Sequence, residues 1–239
     1  MRQQIKALLF DFGGTLDCDG VAWKERMHAH YQAEGLAISA EDFAAVFYAA
    51  DDLLVGGLPE EADLAATVHG LVHNLETALA RGEAGRSSLG ADGRRGQKVA
   101  AKFIADAEAS FARNRLLLQR LQKRYRLGVV SNFYGNLEAV CRAAGLVPPL
   151  SAMIDSRKLG VAKPDPAIFQ AALDALGARP ETALMVGDSL RRDREGARRM
   201  GIGFVWIAPV EVQAAEGRAC GPLDHPVVAR LDELEGIVA

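Results

Sequence analysis

Five short apolar runs, at residues 5–10, 127–130, 152–154, 183–186 and 204–207, constrain this chain more than any other feature. None alternates cleanly between polar and apolar residues, so each reads as a strand covered on both faces. Strands of that kind belong in the interior of a parallel sheet. Helix-period patterns separate the last four runs, which predicts βαβ units and a doubly wound α/β fold, Rossmann-like in outline. In an open parallel sheet the ligand site lies beyond the carboxyl ends of the strands. Asp11, Ser131 and Asp188 each fall at or just after the end of a run, so they are expected to converge in space.

Between the first and second runs the pattern changes. Strand-like runs vanish, and helical segments at 23–34, 40–54 and 61–80 follow one another. A chain of 239 residues accommodates either one large domain or a core with an insert. We expect the second: a core of residues 1–16 and 109–239, and a helical insert of residues 17–108. Within the insert, residues 81–97 hold Gly82, Gly85, Gly90, Gly93 and Gly96 among arginines and serines, a composition that predicts a mobile loop.

The net charge of -3 gives no global field for nucleic acid or an anionic membrane. Cys18, Cys141 and Cys220 lie far apart without ligand-like spacing, which argues for reduced thiols rather than disulfides or a zinc site. The first residues run straight into the first strand, and no apolar run approaches membrane-spanning length. The expectation is a soluble, cytoplasmic protein that binds a small molecule, not nucleic acid or membrane; the pattern carries no signature of oligomeric state.

The chemistry-bearing residues sit in four segments. Asp11-Phe12-Gly13-Gly14-Thr15-Leu16 places a carboxylate where the first strand meets a glycine-rich turn, and glycine allows backbone N–H groups to approach an anion closely. Val129-Val130-Ser131-Asn132, Ala162-Lys163-Pro164-Asp165-Pro166 and Val186-Gly187-Asp188-Ser189, with Asp193 following, complete the set. In this order the segments resemble the signature of the haloacid dehalogenase (HAD) superfamily. The resemblance implies that Asp11 is a covalent nucleophile, that Ser131, Asn132 and Lys163 bind the phosphoryl group, and that residues 17–108 are a cap closing over the site. It also implies a Mg²⁺ site built from Asp11, the Gly13 carbonyl, Asp188 and Asp193. An oxygen-only donor set of this kind suits a hard divalent cation. The implied activity is a phosphatase acting on a small phosphorylated metabolite through an aspartyl-phosphate.

One position departs from the family pattern: phosphatases of the superfamily carry a second Asp two residues after the nucleophile, and Gly13 stands there. Loss of general acid-base help of this sort typically costs about 10²- to 10⁴-fold in rate. Asp17 or Asp19 is near enough to substitute, although Asp17-Cys18-Asp19-Gly20 reads more simply as a polar turn. Phosphonate hydrolases of the superfamily use a cap lysine instead, but Lys24, Lys98 and Lys102 lie at the edges of the insert. Gly13 therefore keeps open a second expectation, a low-turnover phosphate-binding or regulatory module. Haloacid dehalogenation is disfavoured, because Asp188 beside Asp11 is a costly repulsion without a cation. His69 and His73, at helical i, i+4 spacing near Glu76, read as a surface pair rather than a metal site.

Overall fold

The computed structural model of the chain describes residues 4–82, 94–220 and 225–238. Six strands form one sheet in the order β3-β2-β1-β4-β5-β6. They are β1 (Ala7–Phe10), β2 (Arg126–Ser131), β3 (Leu150–Asp155), β4 (Ala183–Gly187), β5 (Gly203–Ile207) and β6 (Val227–Val228). Every pairing is parallel. The first five cover the predicted runs; β6 was not anticipated, because two residues pairing only with Trp206 and Ile207 make no run of their own.

The apolar runs lack polar alternation because successive side chains enter two different cores. Leu8, Phe10, Leu127, Val129, Leu184, Val186, Val205 and Ile207 face one core. Ala7, Leu9, Val130, Ala183, Met185, Phe204 and Trp206 face the other. The second core is closed by α7 (Pro166–Leu176) and α8 (Glu195–Met200), through Ile168, Phe169, Leu173 and Ala197. The first is shared with α5 (Leu137–Ala143) and with the insert.

Between β1 and β2 lie α1 (Trp23–Ala33), α2 (Ala40–Asp52), α3 (Leu64–Gly82) and α4 (Arg94–Leu121). Ser39 caps α2 by accepting the Asp42 N–H. Helix α4 is continuous from the insert to the sheet: its Val99, Phe103 and Ala107 and its Leu117, Leu118 and Leu121 all belong to the first core. Residues 83–93 of the predicted loop lie outside the described residues. Residues 81–82 and 94–97 correct that expectation, since they already belong to helices. A Cβ on Gly96 would stand 2.9 Å from both Val72 and Glu76, so this glycine serves the close approach of α3 and α4 rather than chain mobility. Among the described residues no helix is long and apolar enough to cross a membrane.

Candidate active site

Asp11 directly follows β1, held in line by its N–H to the Val186 carbonyl at 2.9 Å. One of its oxygens, Oδ1, accepts the Phe12 N–H at 2.7 Å and the Ser131 hydroxyl at 3.0 Å. The same oxygen lies 2.7 Å from Lys163 Nζ. Lys163 reaches equally to Asp193 Oδ1, at 2.7 Å. Its backbone is clamped by Asn132, whose Oδ1 accepts the Lys163 N–H and whose Nδ2 donates to the Lys163 carbonyl. The following Asp165 caps α7 through the Ala167 N–H, with Pro166 in the first turn, so the Lys163 segment leads directly into a helix start.

Asp188 and Asp193 sit in the turn beyond β4. Ser189 caps that turn by accepting the Arg192 N–H, and its own N–H donates to Asp193 Oδ2. One carboxylate oxygen from each of Asp11, Asp188 and Asp193 lies within 4.8 Å of the other two, forming the one such acidic or ligand-type group among the described residues. Gly14 is necessary here: its φ is +88°, and a Cβ would lie 2.6 Å from Asp188 Oδ2. Asp11, Gly13, Ser131, Asn132, Lys163 and Asp188 line one cavity of about 540 Å³. His69 and His73 are exposed and remote from this acidic group.

Electrostatics at this site are unbalanced. Burial of Lys163 works against its charge, yet Asp11 and Asp193 outweigh it and hold the ammonium above its ordinary value. Burial, with Asp11 and Asp193 adding to it, pushes Asp188 well above the carboxylate range. Asp193 is raised to about 6, chiefly by burial, against the lowering effect of Lys163. Two buried carboxylates and a partly exposed one, opposed by one ammonium, leave excess negative charge, and the donor atoms are all hard oxygens. That donor set fits a divalent cation such as Mg²⁺.

Four features escaped the sequence. Asp17 is not a solvated turn residue: it is fully buried, accepting Gly14 N–H at 2.7 Å, Trp23 Nε1 at 2.7 Å and Arg26 NH1 at 2.6 Å. Asp19 is engaged by Arg113 and the Leu231 N–H. The side-chain space of Gly13 is covered by Trp23, whose Nε1 would lie 3.1 Å from a Cβ there. Asp155 orders the loop beyond β2, its carboxylate accepting the N–H groups of Gly135, Leu137 and Arg157.

The profile of haloacid dehalogenase-like hydrolases matches residues 5–201 of this chain. The chain belongs to that family. Among similar proteins, a phosphoserine phosphatase of Thermus thermophilus is 45% identical over 64 residues, 27% of this chain and 26% of that protein. A glyceraldehyde 3-phosphate phosphatase of Methanopyrus kandleri is 33% identical over 129 residues, 50% of this chain and 55% of that protein. The haloacid dehalogenase-like hydrolase domain-containing protein 3 of Bos taurus is 33% identical over 117 residues, 46% and 47% of the two chains. The matches thus span between 26% and 55% of these relatives.

Solved structures share the fold from end to end. The HAD-hydrolase YfnB of Bacillus subtilis, bound to magnesium, covers 99% of both chains with a TM-score of 0.55 at 18% identity. A dehalogenase with an intermediate complex covers 100% of this chain and 99% of its own, with a TM-score of 0.61 at 20% identity. Identities this low speak to fold alone. The chain is therefore an HAD-like hydrolase with phosphatases among its relatives.

Proposed function

We propose that this hydrolase is a Mg²⁺-dependent phosphohydrolase acting on a small phosphorylated metabolite through an aspartyl-phosphate on Asp11, with residues 17–108 as the cap. The observation that carries the reading is the charge pattern: Lys163 bridges Asp11 and Asp193 at 2.7 Å each while Asp188 stands beside them. Asp11, Asp188 and Asp193, with the carbonyl of Gly13, would hold the cation. When bound, Mg²⁺ cancels the repulsion between a carboxylate nucleophile and a phosphate anion and withdraws electrons from phosphorus.

The remaining roles follow from the chain's own groups. Ser131 and the Phe12 N–H direct Asp11 through Oδ1, leaving Oδ2 as the attacking oxygen. The Lys163 ammonium and the Ser131 hydroxyl stabilise charge on the equatorial phosphoryl oxygens. Asn132 orients Lys163 by its paired backbone contacts and presents its N–H at the same strand end. The identities of 33–45% to proteins named as phosphatases favour phosphoryl over halide chemistry, since the dehalogenase likeness reaches only the fold.

The test is hydrolysis of an aryl and an alkyl phosphate with Mg²⁺, beside halide release from a 2-haloacid. We expect aryl phosphate turnover that Asp11→Asn abolishes and no halide release. The coverage of Gly13 by Trp23 favours the binding-module reading as the second choice. Inertness toward both esters, with thermal stabilisation by Mg²⁺ and phosphate together, would move the assignment there.

A further inference from the structure

Expelling an alkoxide from phosphorus requires a proton at the leaving oxygen, and the water that later attacks a phosphorylated carboxylate must lose one. Gly13 supplies neither, and Trp23 shields its side-chain space. The carboxyl groups that line the cavity are those of Asp11, Glu25, Asp51 and Asp188. Asp11 is committed as nucleophile and Asp188 belongs to the acidic group of the metal site. Glu25 lies out in solvent, paired with Lys24 at 2.9 Å. That ion pair also holds the Lys24 ammonium charged, its Glu25 partner raising it above the ordinary lysine value, so no neutral amine is available there.

Asp51 differs from all of these. It comes from the last turn of α2, where the negative end of the helix dipole disfavours a carboxylate. It receives the hydroxyl of Tyr134, from the loop after β2, on Oδ1. Tyr134 lines the same cavity, and its ring is packed against Phe133 and Trp23. The Asn74 amide fixes the end of α2 by donating to the Ala50 carbonyl at 3.1 Å. Among the described residues no hydrogen bond reaches Oδ2 of Asp51, so that oxygen can carry a proton.

We infer that Asp51, delivered by the insert and held by Tyr134, is the proton donor and acceptor at the leaving-group end of the cavity. The inference rests on the phosphohydrolase reading above. In the first half-reaction the Asp11–phosphorus bond forms, the bond from phosphorus to the leaving oxygen breaks, and the proton on Asp51 passes to that oxygen. In the second, a water oxygen bonds to phosphorus, the Asp11–phosphorus bond breaks, and the water proton returns to Asp51. Burial raises Asp51 above the ordinary carboxylate range, more than the Tyr134 hydrogen bond and Arg192 lower it, as a group that must hold a proton requires.

The experiment compares wild type, Asp51→Asn, Tyr134→Phe and Asp11→Asn on para-nitrophenyl phosphate and a primary alkyl phosphate, with circular dichroism to verify folding. In single-turnover release of the alcohol or phenol, before phospho-enzyme hydrolysis contributes, Asp51→Asn is expected to slow the alkyl ester by about 10²- to 10⁴-fold and the aryl ester by less than about tenfold, because nitrophenolate departs unprotonated; the second step, shared by both esters, slows alike. Tyr134→Phe, which leaves the carboxyl in place, should give a smaller loss with the same bias. Equal losses on both esters in that first turnover, or no loss on either, overturn the role of Asp51 while the phosphohydrolase reading stands. An inert wild type, or an Asp11→Asn variant as active as wild type, overturns the phosphohydrolase reading itself and this role with it. Should Asp51→Asn fail to fold, an unbiased Tyr134→Phe variant is the overturning result.

Discussion

Asp17→Ala is the substitution most informative about how the turn after Asp11 is built. The carboxylate is fully buried and receives the Gly14 N–H, the Trp23 indole N–H and the Arg26 guanidinium. Removing it strands Arg26, which is only 7% exposed, as an uncompensated charge. Breaking one side of a buried ion pair costs about 3–5 kcal/mol, and orphaning the two neutral donors overlaps with that loss rather than adding fully to it. We expect about 4 kcal/mol in all, which for a chain of this size lowers Tm by about 8–16 °C.

The control is Asp17→Ala combined with Arg26→Met. Arg26 also stacks over the Phe103 ring at 3.9 Å, a contact that a methionine stem preserves. Replacing both partners of a buried pair with apolar groups is often neutral, so the double variant should regain most of the lost stability. Thermal and guanidinium unfolding followed by circular dichroism give the two values. A single variant within about 1 kcal/mol of wild type, or a double variant no more stable than the single, would refute the view that Arg26 is held charged by Asp17.

Three further outcomes follow from the packing and the charges. Gly13→Asp should cost about 1–3 kcal/mol, because its backbone (φ -74°, ψ 117°) suits any residue but the new Cβ presses on Trp23; an unchanged Tm would contradict this. Gly196→Ala places a Cβ 2.2 Å from the fully buried Phe169 ring and should likewise lose about 1–3 kcal/mol by thermal unfolding, a neutral result meaning that α7 and α8 separate freely. The pH dependence has a definite sign: Asp193, at about 6 when folded, and Asp188, raised further, bind more protons folded than unfolded. Metal-free protein should therefore lose their contribution as pH rises from about 4 toward the folded values, while the Tm gain from Mg²⁺ grows over that interval; a Mg²⁺ shift independent of pH would count against the acidic site.

The sheet was legible because burial on both faces leaves a local trace, an unbroken apolar run, and because the chain passes through βαβ units in order. Strand β6 left none, since its two residues owe their conformation to Trp206 and Ile207 rather than to any pattern of their own. At the site, Asp11, Ser131, Lys163, Asp188 and Asp193 each stand at a strand end or turn, and the fold gathers them into one constellation. Asp51 and Tyr134 were invisible for the opposite reason. They lie 83 residues apart on different parts of the fold, and nothing local in either segment announces a partner. Asp17 misled because three polar or small neighbours, Cys18, Asp19 and Gly20, resemble a solvated turn, while its partners come from the start of α1.

Position 13 illustrates why subtracting one residue from a motif is a poor guide to chemistry. Read along the chain, Gly13 is a missing carboxyl. In space it is where the insert's first helix docks: Trp23 lies over it, Trp23 and Arg26 both bind Asp17, and Asp17 in turn fixes the Gly14 N–H one residue further on. The entry of the insert and the shape of the turn after Asp11 are thus one buried unit, and a side chain at position 13 would press on it. An Asp there would do more than add an acid, because its Cβ would press on the indole that holds Asp17, and through it on the turn that presents Asp11. On the phosphohydrolase reading, the proton for the leaving group then comes from another part of the cavity wall, which is the role proposed for Asp51.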